Sequence, residues 1–228
     1  MKHVVSLSGG KDSTAMLLMM LEKNMPIDYI IFCDTGKEFP QMYEHLDKLQ
    51  KRIGRDITFL RAEKSFDYYF SEHVKTKGKH IGEQGYGWAT MRIRWCTSIL
   101  KQSVLNKFYR SIKDDYMEYV GIAYDEPKRI KDKNYPLYDW KITEAEALKY
   151  CYDKGFDWGG LYEHFKRVSC WCCPLKSIPE LRMLYRYYPQ LWQELLYMDS
   201  ISPNQFRSDY SVKQLDERFR REEISLFE

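Results

Sequence analysis

Lys2-His-Val-Val-Ser-Leu-Ser8-Gly9-Gly10-Lys11-Asp12-Ser13 is the stretch on which the reading of this chain turns. A short apolar run, Val4 to Leu7, leads into two glycines, a lysine and hydroxyls. A helical pattern then begins at Thr14, Ala15, Leu17, Leu18 and Leu21. Glycines let backbone N–H groups turn toward an anion, a helix amino terminus adds a partial positive charge, and Lys11 adds a full one. A strand–turn–helix corner of this composition suits a phosphate chain. It is not the Walker loop, whose glycine and lysine spacing differs, and Gly-x-Gly-x-x-Gly does not occur.

Outward from the loop, the chain alternates. Strand-like runs at Val4–Leu7, Tyr29–Cys33, Ile57–Arg61 and Tyr116–Ile122 are separated by helical patterns at Thr14–Lys23, Gln41–Ile53 and Thr97–Tyr109. Strands spaced by helices predict an α/β fold, a twisted parallel sheet flanked by helices, with ligands beyond the strand carboxyl ends. Between Ser71 and Trp95, Gly78, Gly82, Gly85 and Gly87 mix with lysines and aromatics, which predicts a long loop or mobile lid. Past residue 133 a smaller helical part is expected. Thr143-Glu-Ala-Glu146 has capping-box spacing and should start a helix that buries Ala147, Leu148 and Cys151. Residues 155–160 read as a turn, Pro179 as a helix start, and 211–223 as a charged helical tail. The expected division is a nucleotide-binding domain over 1–133 and a helical, cysteine-bearing region over 134–228.

Size and composition narrow the class. With 228 residues and 44% apolar content the chain can bury a core. No apolar run approaches the roughly 20 residues that span a bilayer, and the amino terminus becomes a strand at once, so neither a membrane partner nor a secretory signal is expected and the cytoplasm is the default. The 36 basic and 33 acidic residues leave a net charge of +3, so bulk charge does not mark a nucleic-acid binder. Cations do cluster, at Lys75, Lys77, Lys79 and His80, at Arg92 and Arg94, and at Lys128, Arg129, Lys131 and Lys133.

Four further strings carry chemistry. Cys33-Asp34-Thr35-Gly36 ends the second strand, where an acid commonly accepts hydrogen bonds from ribose hydroxyls. Gly121-Ile-Ala-Tyr-Asp125-Glu126-Pro127-Lys128-Arg129 follows the fourth strand. Two carboxylates beside phosphates suggest Mg²⁺ bridging or ribose contacts, and Arg129 can hold an anion directly. Arg94-Trp-Cys96-Thr97 sets a cysteine at a helix start, where the thiolate is favoured. Cys170-Trp-Cys172-Cys173-Pro174 crowds soft ligands, and with Cys96 offers four from two distant segments. Zinc prefers paired Cys-x-x-Cys arms and one such arm exists, so an iron–sulfur cluster is the favoured reading, with zinc as the alternative. Cys33 and Cys151 are assigned to the core.

The Ser-Gly-Gly-Lys-Asp-Ser string resembles the pyrophosphate loop of the adenine-nucleotide α-hydrolase-like superfamily. Asp34-Thr-Gly with Glu38-Phe39-Pro40, the Gly121-Ile-x-x-Asp-Glu segment, and Arg94-x-Cys96 followed by Leu100-Lys101 resemble the 3′-phosphoadenylyl-sulfate (PAPS) reductase family in the same order. The resemblance implies that Ser6, Ser8, Gly9, Gly10, Lys11, Asp12 and Ser13 form the nucleotide site with Asp34, Thr35, Gly36, Gly121, Asp125, Glu126 and Arg129. It further implies that Lys11, Asp12 and Cys96 are catalytic, and that Cys96, Cys170, Cys172 and Cys173 hold a 4Fe–4S cluster.

The chain departs from sulfonucleotide reductases, which carry a cysteine in a short Glu-Cys-Gly-(Leu)-His segment at their end; no cysteine follows Cys173 here. The layout resembles a divergent branch that includes DNA phosphorothioation and tRNA thiolation enzymes. The expected reaction is therefore ATP-dependent adenylation with Mg²⁺, releasing pyrophosphate and coupled to sulfur transfer, with a nucleic-acid acceptor and a sulfur donor protein as partners. Reduction of PAPS or adenylyl sulfate (APS) with sulfite release, or a non-catalytic nucleotide-sensing subunit, are the alternatives.

Overall fold

Four strands, β1 (Lys2–Ser6), β2 (Tyr29–Cys33), β3 (Thr58–Leu60) and β4 (Tyr116–Val120), pair in parallel in the order β3-β2-β1-β4 in the computed structural model, which describes residues 1–224. Val4 pairs with Tyr29 on one side and Glu118 on the other. Val4, Val5, Ile30, Ile31 and Phe32 are all buried, as the continuous apolar runs of a sheet covered on both faces require. The fold class expected from the sequence is the one observed. Residues 225–228, part of the terminal segment compared above, lie outside the described residues.

The chain forms two compact units. The first comprises Met1–Asp34, Glu38–Arg61 and Lys101–Ser169; the second comprises Thr35–Lys37, Ala62–Leu100 and the residues from Cys170 onward. This differs from a single division at residue 134, for two local reasons. In the first unit, α5 (Glu144–Asp153) packs on α1 (Lys11–Glu22) and buries Ala147 and Cys151, which keeps 134–169 with the sheet. In the second, the Trp171 N–H donates to Lys37 O at 3.0 Å, and Lys37 is ion-paired to Asp67 and Glu194, which ties 35–37 to the cysteine segment.

In the first unit α1 buries Ala15, Met16, Leu17 and Met20, and α2 (Pro40–Ile53) buries Met42, Leu46 and Leu49. The capping box at α5 forms as spaced: Thr143 Oγ1 accepts from Glu146 N, and Glu146 Oε2 accepts from Thr143 N. Leu148 is half-buried rather than core. The helix expected over Thr97–Tyr109 is instead a π-helical segment, Thr97–Gln102, followed by α3 (Ser103–Ser111). Short helices α4 (Pro136–Asp139) and α6 (Leu161–His164) complete this unit.

The second unit holds α7 (Ile178–Tyr187), α8 (Pro189–Ile201) and α9 (Val212–Ile224), with Trp192 buried against Tyr185 and Phe219. Its 71–95 segment is not a free lid throughout. Tyr86 stacks on Trp95, Trp88 is buried against Phe70 and Phe206, and an antiparallel bridge joins Val74 to Gln84. Aromatic side chains anchor what glycine content alone suggested was loose. Among the described residues, no helix is long and apolar enough to cross a membrane.

Candidate nucleotide loop and thiol group

The loop of the first unit forms because β1 ends directly before two residues with little side chain. Gly9 takes φ +77°, and a Cβ there would sit 2.4 Å from Met42 Sδ, so any other residue is both strained and crowded. Gly10 precedes α1 and supplies no side-chain acceptor, which leaves first-turn N–H groups beyond that of Lys11 for an anion. Ser8 and Ser13 brace the turn: Ser13 Oγ accepts from Ser8 N at 3.1 Å, lies 3.0 Å from Ser8 Oγ and donates to Gly10 O. Gly121, just past β4, would place a Cβ 2.7 Å from Ser13 N and Cα. Its missing side chain lets the end of β4 touch the start of α1.

Lys11 is buried, and its ammonium bonds Glu144 Oε1 at 2.8 Å and Asp12 Oδ2 at 3.1 Å. Its backbone N–H donates to the Tyr162 hydroxyl at 2.7 Å. Ligand-type oxygens of Asp12, Glu126 and Glu144 lie within 4.8 Å of one another. Asp12 Oδ1 is shielded from solvent and has no hydrogen-bond partner. Burial pushes the Asp12 carboxyl above the usual carboxylate range, with Glu144 and Glu126 adding to the rise and Lys11 opposing it. Glu126 is also bonded by Arg129 and Arg167. A close group of three carboxylates, one with an unsatisfied buried oxygen, can take a hard divalent cation.

The remaining expected nucleotide residues make contacts of their own. Asp34 is buried, accepting from Tyr43 at Oδ1 and from Arg61 at Oδ2, both at 2.8 Å. Asp125 accepts from Glu144 N and so caps α5. Ser6 donates to Glu118 at 2.9 Å. Thr35 and Gly36 belong to the second unit, where Thr35 Oγ1 lies 3.4 Å from Cys170 Sγ.

Glu144, Tyr162 and Arg167 were missed by the sequence reading. Glu144 sits beside a capping box that accounts for its neighbours on its own, and nothing local marks Tyr162 or Arg167. Trp158 and His45 were missed as well. Trp158 Nε1 donates to Gly9 O at 2.7 Å and its ring stacks on His45, whose Nε2 lies 3.1 Å from Thr14 Oγ1. Thr14 Oγ1 in turn donates to Gly9 O. Burial holds the His45 imidazole down to about 3.

In the second unit, Cys96 and the 170–173 segment lie close enough that Cys173 acts on the Cys96 thiol. Burial raises Cys96 above the ordinary thiol range and Cys173 raises it further. The lowered value expected of a helix-start cysteine is not found, because desolvation outweighs the Thr97 hydrogen bonds and the Arg94 charge that favour the thiolate. Lys176, buried directly after the triplet, is lowered by burial and pulled back up by Glu180 and by the thiols of Cys173, Cys170 and Cys172. Cys96, Cys170, Cys172 and Cys173 thus lie in one unit, with the Lys176 side chain near three of them, and offer donors of the chemical type that a soft metal group takes. Burial raises Cys33 to about 11 and Cys151 to about 12, which suits packing residues.

A parallel sheet with a glycine loop at the end of its first strand makes this an α/β fold. The chain belongs to the phosphoadenosine phosphosulfate reductase domain family, which it matches over residues 2–176. An uncharacterized protein of Methanocaldococcus jannaschii is 29% identical over 215 residues, 84% of this chain and 40% of that protein, so the chain spans less than half of that relative. A PAPS reductase from Candida auris, solved as a phosphate complex, has a TM-score of 0.51 at 16% identity, covering 72% of this chain and 77% of its own. The U34-tRNA thiolase NcsA of Methanococcus maripaludis, solved with its 4Fe–4S cluster, has a TM-score of 0.45 at 17% identity, covering 96% and 72%.

Proposed function

We propose that this protein is an enzyme that binds Mg·ATP at the glycine loop, adenylates an acceptor with release of pyrophosphate, and uses the thiol group of its second unit for sulfur transfer. The observation that carries the ATP reading is the carboxylate group of Asp12, Glu126 and Glu144 beside the loop. A nucleotide that leaves pyrophosphate behind benefits from a divalent cation there, whereas releasing sulfite from a sulfonucleotide calls chiefly for a reductant.

Asp12, Glu126 and Glu144 would hold the magnesium ion, whose charge offsets that growing on the departing pyrophosphate. Lys11 exchanges its two ion pairs for phosphate oxygens, while Ser8, Ser13 and the first-turn amides orient the chain. An acceptor oxygen attacks the α-phosphorus, the bond to the α–β bridging oxygen breaks, and pyrophosphate leaves with the electron pair. A sulfide equivalent then displaces AMP. Cys96, Cys170, Cys172 and Cys173 would hold a 4Fe–4S cluster, or zinc, and a cluster would supply a site for sulfide.

The family match favours sulfonucleotide reduction as the second reading. Anaerobic, reduced protein given ATP or PAPS separates the two. Pyrophosphate and AMP from ATP support adenylation; sulfite and adenosine 3′,5′-bisphosphate from PAPS, with ATP left intact, overturn it.

A further inference from the structure

The second unit contains a cavity of about 570 Å³ that none of the roles above uses. It is as large as sites that hold small organic ligands. Two of its walls are continuous with the thiol-bearing segments: residues 89–92 shortly precede Cys96, and Pro174 and Leu175 directly follow Cys173. The third wall is 204–209.

The walls are tied together before any ligand arrives. Arg207 donates to Pro174 O at 2.9 Å and to Lys176 O at 2.6 Å while paired to Asp209. Asn204 accepts from Trp88 N at 2.7 Å and donates to Trp88 O at 2.9 Å. Side chains that bind backbone on a neighbouring segment hold the opening at fixed width, and such preorganisation lowers the cost of binding.

The lining has two chemistries. Met91 is 80% exposed and Leu175 38% exposed, and these two give the lining its apolar surface. Arg92 stands beside Met91, exposed, and has no hydrogen bond or ion pair among the described residues. Arg207 is consumed by its clamp, so Arg92 is the cation on this lining open to a ligand. A guanidinium offers a planar pair of donors to an oxyanion, phosphate or carboxylate alike.

We infer that this cavity binds a small organic oxyanion whose head pairs with Arg92 and whose ring-sized apolar body lies against Met91 and Leu175.

The test is calorimetry on the full chain with α,β-methylene-ATP saturating the glycine loop, so that the phosphate-binding loop cannot answer for the cavity. Phenyl phosphate and benzoate probe the two head groups, and inorganic phosphate and benzyl alcohol probe head and body alone. Either ring-bearing oxyanion should bind at least about tenfold more tightly than inorganic phosphate and benzyl alcohol. Arg92→Ala should remove that advantage, Arg92→Lys should restore part of it, and Leu175→Asp should weaken binding by a similar factor. Equal affinity for phenyl phosphate, benzoate and inorganic phosphate, or tight binding that survives both Arg92→Ala and Leu175→Asp, overturns the inference. Titration of α,β-methylene-ATP alone reports separately on the loop, so failure of the cavity and failure of the ATP reading are told apart.

Discussion

The indole Nε1 of Trp158 donates a 2.7 Å hydrogen bond to the carbonyl oxygen of Gly9, 149 residues earlier in the chain. Trp158 itself holds φ +53°, a backbone region that costs a non-glycine residue on the order of 1 kcal/mol and persists when the surroundings over-determine it. Here the surroundings are the Gly9 carbonyl, the His45 ring at 4.4 Å and the Tyr162 ring at 4.8 Å. The glycine loop is held from behind by a tryptophan.

Trp158→Phe keeps the ring stack and removes the donor. It should cost about 1–2 kcal/mol in urea unfolding and weaken ATP binding several-fold, because Gly9 O loses one of its two donors. An unchanged ATP affinity would show that the loop keeps its shape without this bond.

Gly121→Ala should cost about 2–3 kcal/mol and abolish nucleotide binding. Its Cβ would lie 2.7 Å from backbone atoms of Ser13, which cannot move without shifting the amino terminus of α1. A variant with wild-type urea midpoint and ATP affinity contradicts the close approach.

His45 makes stability depend on pH. Its imidazole titrates at about 3 in the fold against 6.5 when exposed, so between those values the unfolded chain binds a proton that the folded chain does not. Stability therefore falls as pH drops below 6.5, by about 2 kcal/mol at pH 5. Asp12 acts in the opposite sense, since its raised carboxyl lends stability at low pH that is lost as pH rises. Urea midpoints across this range for the wild type and His45→Gln should differ in slope; parallel slopes would remove His45 as the cause.

Glu144→Gln should raise the Mg²⁺ concentration needed for pyrophosphate release by at least about tenfold, since loss of even an indirect partner of a metal costs that much. Iron content should be unchanged, because Glu144 lies in the first unit and the thiols in the second. An unaltered Mg²⁺ requirement would dissolve the carboxylate group as a cation site.

Serine at Cys96, Cys170, Cys172 or Cys173 should each lower iron and acid-labile sulfide in anaerobically purified protein, while Cys33→Ala should not. Stoichiometric zinc without labile sulfide would replace the cluster with the alternative metal.

The fold was legible because its signals are local. Val4–Leu7 before Ser8-Gly9-Gly10, and branched residues at Tyr29–Cys33, report β1 and β2 without knowledge of what they touch, and Thr143 with Glu146 reports a helix start by spacing. Even there the ends shifted: α1 begins at Lys11 rather than Thr14, since a glycine before it serves as the cap. The candidate site was legible only in part. Asp12 and Glu126 were named, yet not Glu144, whose approach to them depends on α5 packing on α1. Thr35, next to Asp34 in sequence, folds with Cys170. The 71–95 segment, loose by composition, is pinned by Tyr86, Trp88 and Trp95.

By itself, then, the sequence determined the alternation of strands and helices, the glycine loop and the family, because periodicity and turn chemistry are properties of neighbouring residues. Only the tertiary structure decided which carboxylates meet at Lys11, that Tyr162 and Trp158 grip the loop, that Cys96 is raised rather than lowered, and that Arg92 faces a cavity. Those facts depend on burial and on approaches between residues far apart in the chain, and no local pattern encodes either.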